Sequence, residues 1–243
     1  MKTIKLSATD STNSFLKDLA QNSTLENFTT VVTQNQIKGR GQQQNKWVSE
    51  PYKNLTFSVF ISFKDLKVVQ KKYLNFAISL AIYDVLFANN LPKPSIKWPN
   101  DILSANKKIC GILIENTFSG DRIKNSFVGI GLNINQETFP AYLNNATSLK
   151  LETGLEYDLD LLLKAILEEI KKNINRLTSQ SFNLLEEKYL DVLYKKNIPT
   201  MFKNSKDEIF MGMISGISDF GKLQVQLEDD VIKEFGLKEI SFL

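Results

Sequence analysis

The 243-residue chain contains no histidine. That absence excludes Ser-His-Asp and Cys-His catalysis, imidazole metal ligands and any imidazole acid or base. Its single cysteine, Cys110, cannot close an internal disulfide, so nothing points to an oxidising compartment. Long apolar runs are missing as well. The most apolar stretch, Leu74 to Leu91, is interrupted by Asp84, Asn89 and Asn90, and it is too short to span a bilayer. The N-terminus, MKTIKLSATDSTNSF, has no signal-peptide core, and a cytoplasmic protein is expected. Charge of one sign is not in excess: 30 Lys and Arg against 27 Asp and Glu leave +3, too weak a field to indicate nucleic acid or membrane as a partner. Any chemistry must run on lysine, arginine, carboxylates, backbone dipoles or a metal held by oxygen.

The composition that remains, 42% hydrophobic and 23% charged, is that of an ordinary globular chain. Ser11 or Thr12 can cap a short helix that buries Phe15, Leu16 and Leu19. A strand is predicted around residues 30–34, and residues 35–54 lose all periodicity. Leu55, Phe57, Val59, Ile61 and Phe63 alternate with polar or small residues, which predicts a half-buried strand. Helical spacing of Leu74, Ile78, Ile82 and Val85 predicts a helix over 68–90. Strands follow around Ile96, over 109–116 and over 127–134, the last two joined by a hairpin turn at 119–124. Residues 135–157 read as irregular, and helices are expected at about 158–177 and 181–195. After Pro199 short apolar runs alternate with turn signals, the texture of a small β-barrel. A boundary near 195 divides the chain into 1–194 and 195–243.

Four clusters can carry chemistry. In Lys38-Gly39-Arg40-Gly41-Gln42, two glycines let backbone N–H groups approach an anion, and Arg40 offers its planar fork to carboxylate or phosphate. Trp47 ends this loop as a candidate pocket wall. A plain solvated loop is the competing reading. Lys97-Trp98-Pro99-Asn100-Asp101 gathers an amide, a carboxylate and a lysine at one strand end, with Trp98 expected in extended conformation before its proline. A simple β-turn would look the same. In Lys107-Lys108-Ile109-Cys110-Gly111, a lysine stands three residues before a strand glycine, a position that often marks close approach of a ligand. Gly129-Ile130-Gly131-Leu132-Asn133 places two glycines on one strand face, and by itself it is a weak signal.

In this order and spacing, the four clusters, with Ser11-Thr12-Asn13 and Gln36, resemble the biotin protein ligase family over about residues 9–135. The tail from 195 onward is similar to the SH3-like barrel that closes such ligases. The resemblance implies an α+β fold: a mixed central β-sheet with flanking helices plus a small C-terminal SH3-like β-barrel. It implies activation of biotin by ATP to biotinyl-5′-adenylate, then transfer to a lysine of a biotin carboxyl carrier protein, with Mg²⁺ accompanying ATP and no metal site of the protein's own. Ser11, Thr12, Asn13 and Gln36 would meet the biotin head, and Gly111 would lie along the biotin. Arg40, with the backbone of Gly39, Gly41 and Gln42, would hold the carboxylate and α-phosphate, and Lys108 would sit on the reacting acyl phosphate. Trp47, Asn100 and Asn133 would serve the adenylate, and Asp101 would assist the incoming amine or hold the metal.

The chain departs from the family's usual Gly-Arg-Gly-Arg-x-Gly-Arg loop: Gln42, Gln44 and Asn45 stand where arginine, glycine and arginine are common. With nothing ahead of Ser11 to form a helix-turn-helix, the short form without specific DNA binding is expected. An acidic carrier domain is expected to dock beside Lys97–Asp101, with a homodimer as the competing use of the same sheet edge. A lipoate or octanoate protein ligase and a non-catalytic binding module are the rival readings. The first is disfavoured by the lack of histidine, the second by the presence of both Lys108 and Asp101.

Overall fold

The computed structural model describes residues 1–42 and 45–243. Its larger sheet has seven strands: β1 (Thr3–Thr9), β2 (Thr30–Gln36), β3 (Leu55–Lys67), β4 (Pro94–Lys97), β5 (Asp101–Ser104), β6 (Lys107–Ser119) and β7 (Arg122–Leu132). They lie in the order β1-β2-β3-β7-β6-β5-β4, and β1 with β2 is the parallel pair in an otherwise antiparallel array. The helices are α1 (Thr12–Asn22), α2 (Lys71–Ala88), α3 (Leu149–Thr153), α4 (Leu159–Thr178) and α5 (Phe182–Asp191). A second, antiparallel sheet follows, built from β8 (Pro199–Asn204), β9 (Ile209–Ile217), β10 (Leu223–Gln226), β11 (Ile232–Phe235) and β12 (Ile240–Phe242). The fold is the expected mixture of α and β, with a five-stranded sheet at its C-terminal end.

Several expectations need correction. Strand β3 is not half-buried: every residue from Leu55 to Ile61 is inside. Leu55, Phe57, Val59 and Ile61 join the core with α2 and α4, while Phe60 packs with Leu16 of α1 on the opposite face. Between them Ser58 donates to Thr12 Oγ1 at 2.7 Å. The alternating polar residues therefore face a covering helix rather than water. Helix α1 buries Leu16 as expected, but its other buried residues are Thr12 and Asn13, while Phe15 and Leu19 are half-buried. Strand β5 is an extra element that the sequence reading assigned to a turn. Trp98 is not in an extended run: Trp98–Asn100 form a turn in which the Trp98-Pro99 peptide is cis.

The β4 edge is also not the free template expected for a partner strand. Ile96 donates its N–H to Val192 O at 2.9 Å and accepts from Tyr194 N at 2.8 Å, so the segment after α5 already occupies that edge. An edge group already paired has nothing left to offer an incoming strand.

Helix α2 is apolar nearly all round because it is sandwiched, with Leu74, Phe76, Ile78, Ile82 and Leu86 all buried. The same apolar core continues into the C-terminal sheet through Phe202, Ile214, Leu223 and Val225. Polar ties fix the join. Trp98 Nε1 donates to Gly221 O at 3.0 Å. The nearly buried Lys72 ammonium pairs with Glu186 at 2.9 Å and Asp219 at 3.3 Å. These contacts bring the C-terminal strand over the mouth of the large sheet. Among the described residues no helix is long and apolar enough to cross a membrane.

Candidate active site

A cavity of about 360 Å³ opens where the N-terminus of α1, the loop after β2 and the ends of β4, β5, β6 and β7 converge. Its floor is glycine. Gly111 on β6 and Gly131 on β7 are direct register partners. A Cβ on Gly111 would lie 3.1 Å from Trp47 Cζ3, and one on Gly131 would lie 2.6 Å from Trp47 Nε1. A Cβ on Gly129 would lie 2.9 Å from Asn13 Oδ1. The three positions thus stay bare so that an indole and an amide can lie against the backbone. The Trp47 ring carries a cation above it, with Lys108 Nζ 5.7 Å from the centroid.

Lys108 reaches the cavity because β6 bulges. Between Lys108 and Cys110 two steps of β6 face a single step of β5, from Leu103 to Ile102. The extra residue turns the strand, and the Lys108 backbone bonds to Asn145 O at 2.6 Å and Thr147 N at 2.9 Å instead. The ammonium comes to 2.7 Å from Asp101 Oδ1. Its approach is off the angle of a hydrogen bond, and this buried carboxylate oxygen is left without a hydrogen-bond partner. An acceptor of that kind still has room for a hydrogen-bond donor from a ligand.

The N-terminal end is a set of hydroxyls and amides. Gln36 Oε1 accepts from Thr12 N at 2.9 Å and from Thr12 Oγ1 at 3.3 Å. Ser11 caps α1 through Ser14 N. Asn13 donates to Glu115 Oε2 at 2.9 Å. Arg40 donates to Ser14 Oγ at 2.8 Å and stands 3.7 Å from Glu115 Oε2. Burial pushes the Glu115 carboxyl up. Hydrogen bonds from Lys17 and Asn13, with the charges of Lys17 and Arg40, outweigh it and hold the group below the usual carboxylate range. A depressed folded value means that this carboxylate adds stability above its unfolded value and loses it as pH falls through the folded one. Glu115→Gln should therefore be less stable than wild type at pH 7, with the gap closing below about pH 4.3, the ordinary glutamate value. Urea unfolding at both pH values checks this; a gap unchanged at low pH would show that charge is not what Glu115 contributes.

Most of the expected residues meet in this cavity. Ser11, Thr12, Asn13 and Gln36 line its head, Arg40, Gly41, Gln42 and Trp47 its side, and Asn100, Asp101, Lys108 and Gly111 its mouth. Two do not line it. Gly39 closes the loop underneath, accepting from Trp47 N at 3.0 Å. Asn133 is turned away, its amide donating to Thr147 O at 2.9 Å. Asn100 also has structural work, donating to Ile112 O at 2.7 Å. The reading of the backbone at Gln44 lies outside the described residues. The sequence singled out Lys97, Gly129 and Gly131 within its clusters but gave them no ligand role, it left out Thr56, and it had no signal for Leu237, Lys238 and Phe242, which line the cavity from the C-terminal unit. The alternation of Thr56 and Ser58 in β3 was the available clue to a polar inner face.

Cys110 points into the core, where burial pushes its thiol far above the usual range, so it is not a nucleophile. Among the described residues no group of three His, Cys, Asp or Glu side chains could hold a metal ion. Asp101 is the acid that lines the cavity, so a divalent ion arriving with a nucleotide would rest mainly on phosphate and water.

Cations converging on a glycine floor suit a protein that holds anionic ligands in line and neutralises their charge. The comparisons agree with that class: the chain belongs to the biotin/lipoate A/B protein ligase family, whose pattern matches residues 6–133. The biotin protein ligase C-terminal domain matches residues 203–243. The chain is 30% identical over 227 residues to the bifunctional ligase/repressor BirA of Bacillus spizizenii, covering 92% of this chain and 69% of that protein. It is 29% identical to the biotin–[acetyl-CoA-carboxylase] ligase of Paracoccus denitrificans, covering 90% and 91%. The biotin protein ligase of Aquifex aeolicus, solved in complex with biotin and ATP, superposes with a TM-score of 0.80 at 28% identity, covering 100% of this chain and 98% of that one.

Proposed function

We propose that this protein is a biotin–[biotin carboxyl carrier protein] ligase, an ATP-dependent, AMP-forming enzyme. The observation that carries the reading is Lys108, turned by a bulge into a glycine-floored cavity with its ammonium 2.7 Å from Asp101. In the first step a biotin carboxylate oxygen attacks the α-phosphorus of ATP, the bond from that phosphorus to the β-phosphate bridge breaks, and pyrophosphate leaves with the electron pair. Two anions must be aligned and their charge neutralised, which needs fixed cations rather than an imidazole. Arg40 and Lys108 supply them. Ser11, Thr12, Asn13 and Gln36 receive the ureido head, Gly111 lies along the biotin, and Trp47, seated on the bare backbone of Gly111 and Gly131, walls the adenylate. In the second step the ε-amine of the carrier lysine attacks the acyl carbon and AMP departs. Asp101, whose Oδ1 is ion-paired with Lys108 but accepts no hydrogen bond, takes the proton from the amine as it attacks.

Mg²⁺ would travel with the nucleotide, and Asp101 would be the carboxylate of the cavity that could help to hold it. The carrier would dock through side chains beside Asn100 and Asp101 rather than by strand addition, because the β4 edge is already paired at Ile96. We place the boundary between the catalytic unit and the C-terminal unit near 195, where α5 has ended and the second sheet has not begun.

Mass spectrometry of a biotin carrier domain incubated with the protein, biotin and ATP should show one biotinyl addition. No addition with biotin, but addition with lipoate or octanoate, would overturn the choice of acyl group. No pyrophosphate released with any acid would overturn adenylation itself.

A further inference from the structure

The cations around the cavity are unequally committed. Lys38 is paired with Asp10 at 2.8 Å, Arg40 is held by Ser14 and Glu115, and Lys108 is paired with Asp101. Lys97 lines the same cavity and, like the exposed Lys46 and Lys238, has no acid within ion-pair distance among the described residues, but unlike them it is half-buried. It ends β4 opposite Asp101 in the register, yet Asp101 is turned to Lys108. Its ammonium lies instead 4.7 Å from the centre of the Phe242 ring. Phe242 is itself fixed, with its ring centroid 5.3 Å from that of Phe202 and 5.6 Å from that of Tyr194. Two separate sheets thus cooperate to hold one half-buried, acid-free ammonium at the rim.

We propose that Lys97, mounted on Phe242, contacts the β- and γ-phosphates of ATP and the departing pyrophosphate. The inference deepens the ligase reading and rests on it. The biotin carboxylate and α-phosphate fall to Arg40 and Lys108, which leaves Lys97 as the half-buried cation available for the leaving group. Its neighbour is the π face of Phe242, which attracts a cation without neutralising it, so the charge stays available for an incoming anion. The surroundings agree. Burial pulls the Lys97 ammonium below the usual lysine range, the charges of Lys108 and Lys195 act the same way, and Asp101 opposes them. A polyphosphate would relieve that penalty by supplying the missing counter-charge. The bond that breaks runs from the α-phosphorus to the bridging oxygen, whose electron pair stays with pyrophosphate, so a cation there is stabilising as the bond opens.

The two half-reactions separate this role from the others. Biotinyl-5′-adenylate has no β- or γ-phosphate, so transfer from the preformed adenylate does not need Lys97. Lys97→Met should raise the ATP KM or lower pyrophosphate release by roughly tenfold to a hundredfold, the range for one charge-assisted contact. Single-turnover transfer from supplied adenylate should stay within about twofold of wild type, and Lys97→Arg should recover most of the first step. Equal losses in both half-reactions would reveal a merely structural lysine and overturn the proposal. A loss confined to transfer would assign Lys97 to the carrier instead, also overturning it. Should Lys97→Met fail to fold, Phe242→Leu takes its place. It leaves the lysine but removes its mount, and an unchanged ATP KM in that variant would count against the idea. Wild-type protein that releases no pyrophosphate from ATP and biotin would refute the ligase reading rather than this assignment.

Discussion

Lys108→Ala is expected to slow biotinyl-adenylate formation by something on the order of 10²-fold or more, the loss typical of one preorganised electrostatic donor. The geometry explains why a single ammonium counts for so much. Its neighbours are a carboxylate at 2.7 Å and an indole face at 5.7 Å, and its backbone is held to the 145–147 segment rather than to β5. Such a group does not have to reorganise when negative charge gathers on the phosphorus. Truncation also leaves Asp101 as an uncompensated anion where two further anions must bind, which adds repulsion to the lost attraction. Lys107→Ala is the control. Its side chain is exposed and does not line the cavity, so its activity should remain close to wild type. Pyrophosphate release under saturating biotin and ATP measures both; a Lys108→Ala rate equal to wild type would remove the lysine from the mechanism.

Gly131→Ala should be nearly as damaging, by an opposite route. Nothing is deleted. A methyl group is added where the indole of Trp47 lies, 2.6 Å from Cζ2 and Nε1. Either the ring or the β7 backbone has to move, and overpacking of this kind costs about 1–3 kcal/mol. Carried into binding, that range is roughly a fivefold to 150-fold loss of biotin affinity. Calorimetric titration with biotin reads it directly. Trp47→Ala in the same chain relieves the collision, so the double variant should bind better than the sum of the two single losses predicts. Strict additivity would mean that the indole and the glycine floor do not act together. The protein should remain folded throughout, because Gly131 faces the cavity while its neighbours Ile130 and Leu132 keep their places in the apolar core.

These two positions were legible in the sequence to different degrees. Lys108 could be singled out because a lysine three residues before a strand glycine is a local pattern, and local patterns survive in one dimension. Gly131 was visible as one of two glycines on a strand face, but its purpose was not. The indole it accommodates comes from a loop 84 positions earlier in the chain, from residue 47 to residue 131. The bulge that aims Lys108 was equally hidden, because it is a mismatch between two strands and neither strand records it alone. Strand β5 was missed for a related reason: four residues between a turn and a hairpin carry too little periodicity to read.

The sequence by itself determined the chemistry available to this protein. Having no histidine and a single cysteine, it had to work by lysine, arginine, carboxylates, backbone dipoles or a metal held by oxygen, and the order of its motifs pointed to where those groups would lie. It also determined the main elements, because the recurrence of apolar residues in α2 and β3 is set by the need to leave water, although in β3 the intervening polar residues are buried too. Only the tertiary structure decided which charges are free to act. Pairing commits Lys38, Arg40 and Lys108 to Asp10, Glu115 and Asp101, while Lys97 is left on the ring of Phe242. Those partners come from separate elements, and electrostatic interaction depends on distance in space rather than along the chain, so no reading of one strand at a time could have sorted them.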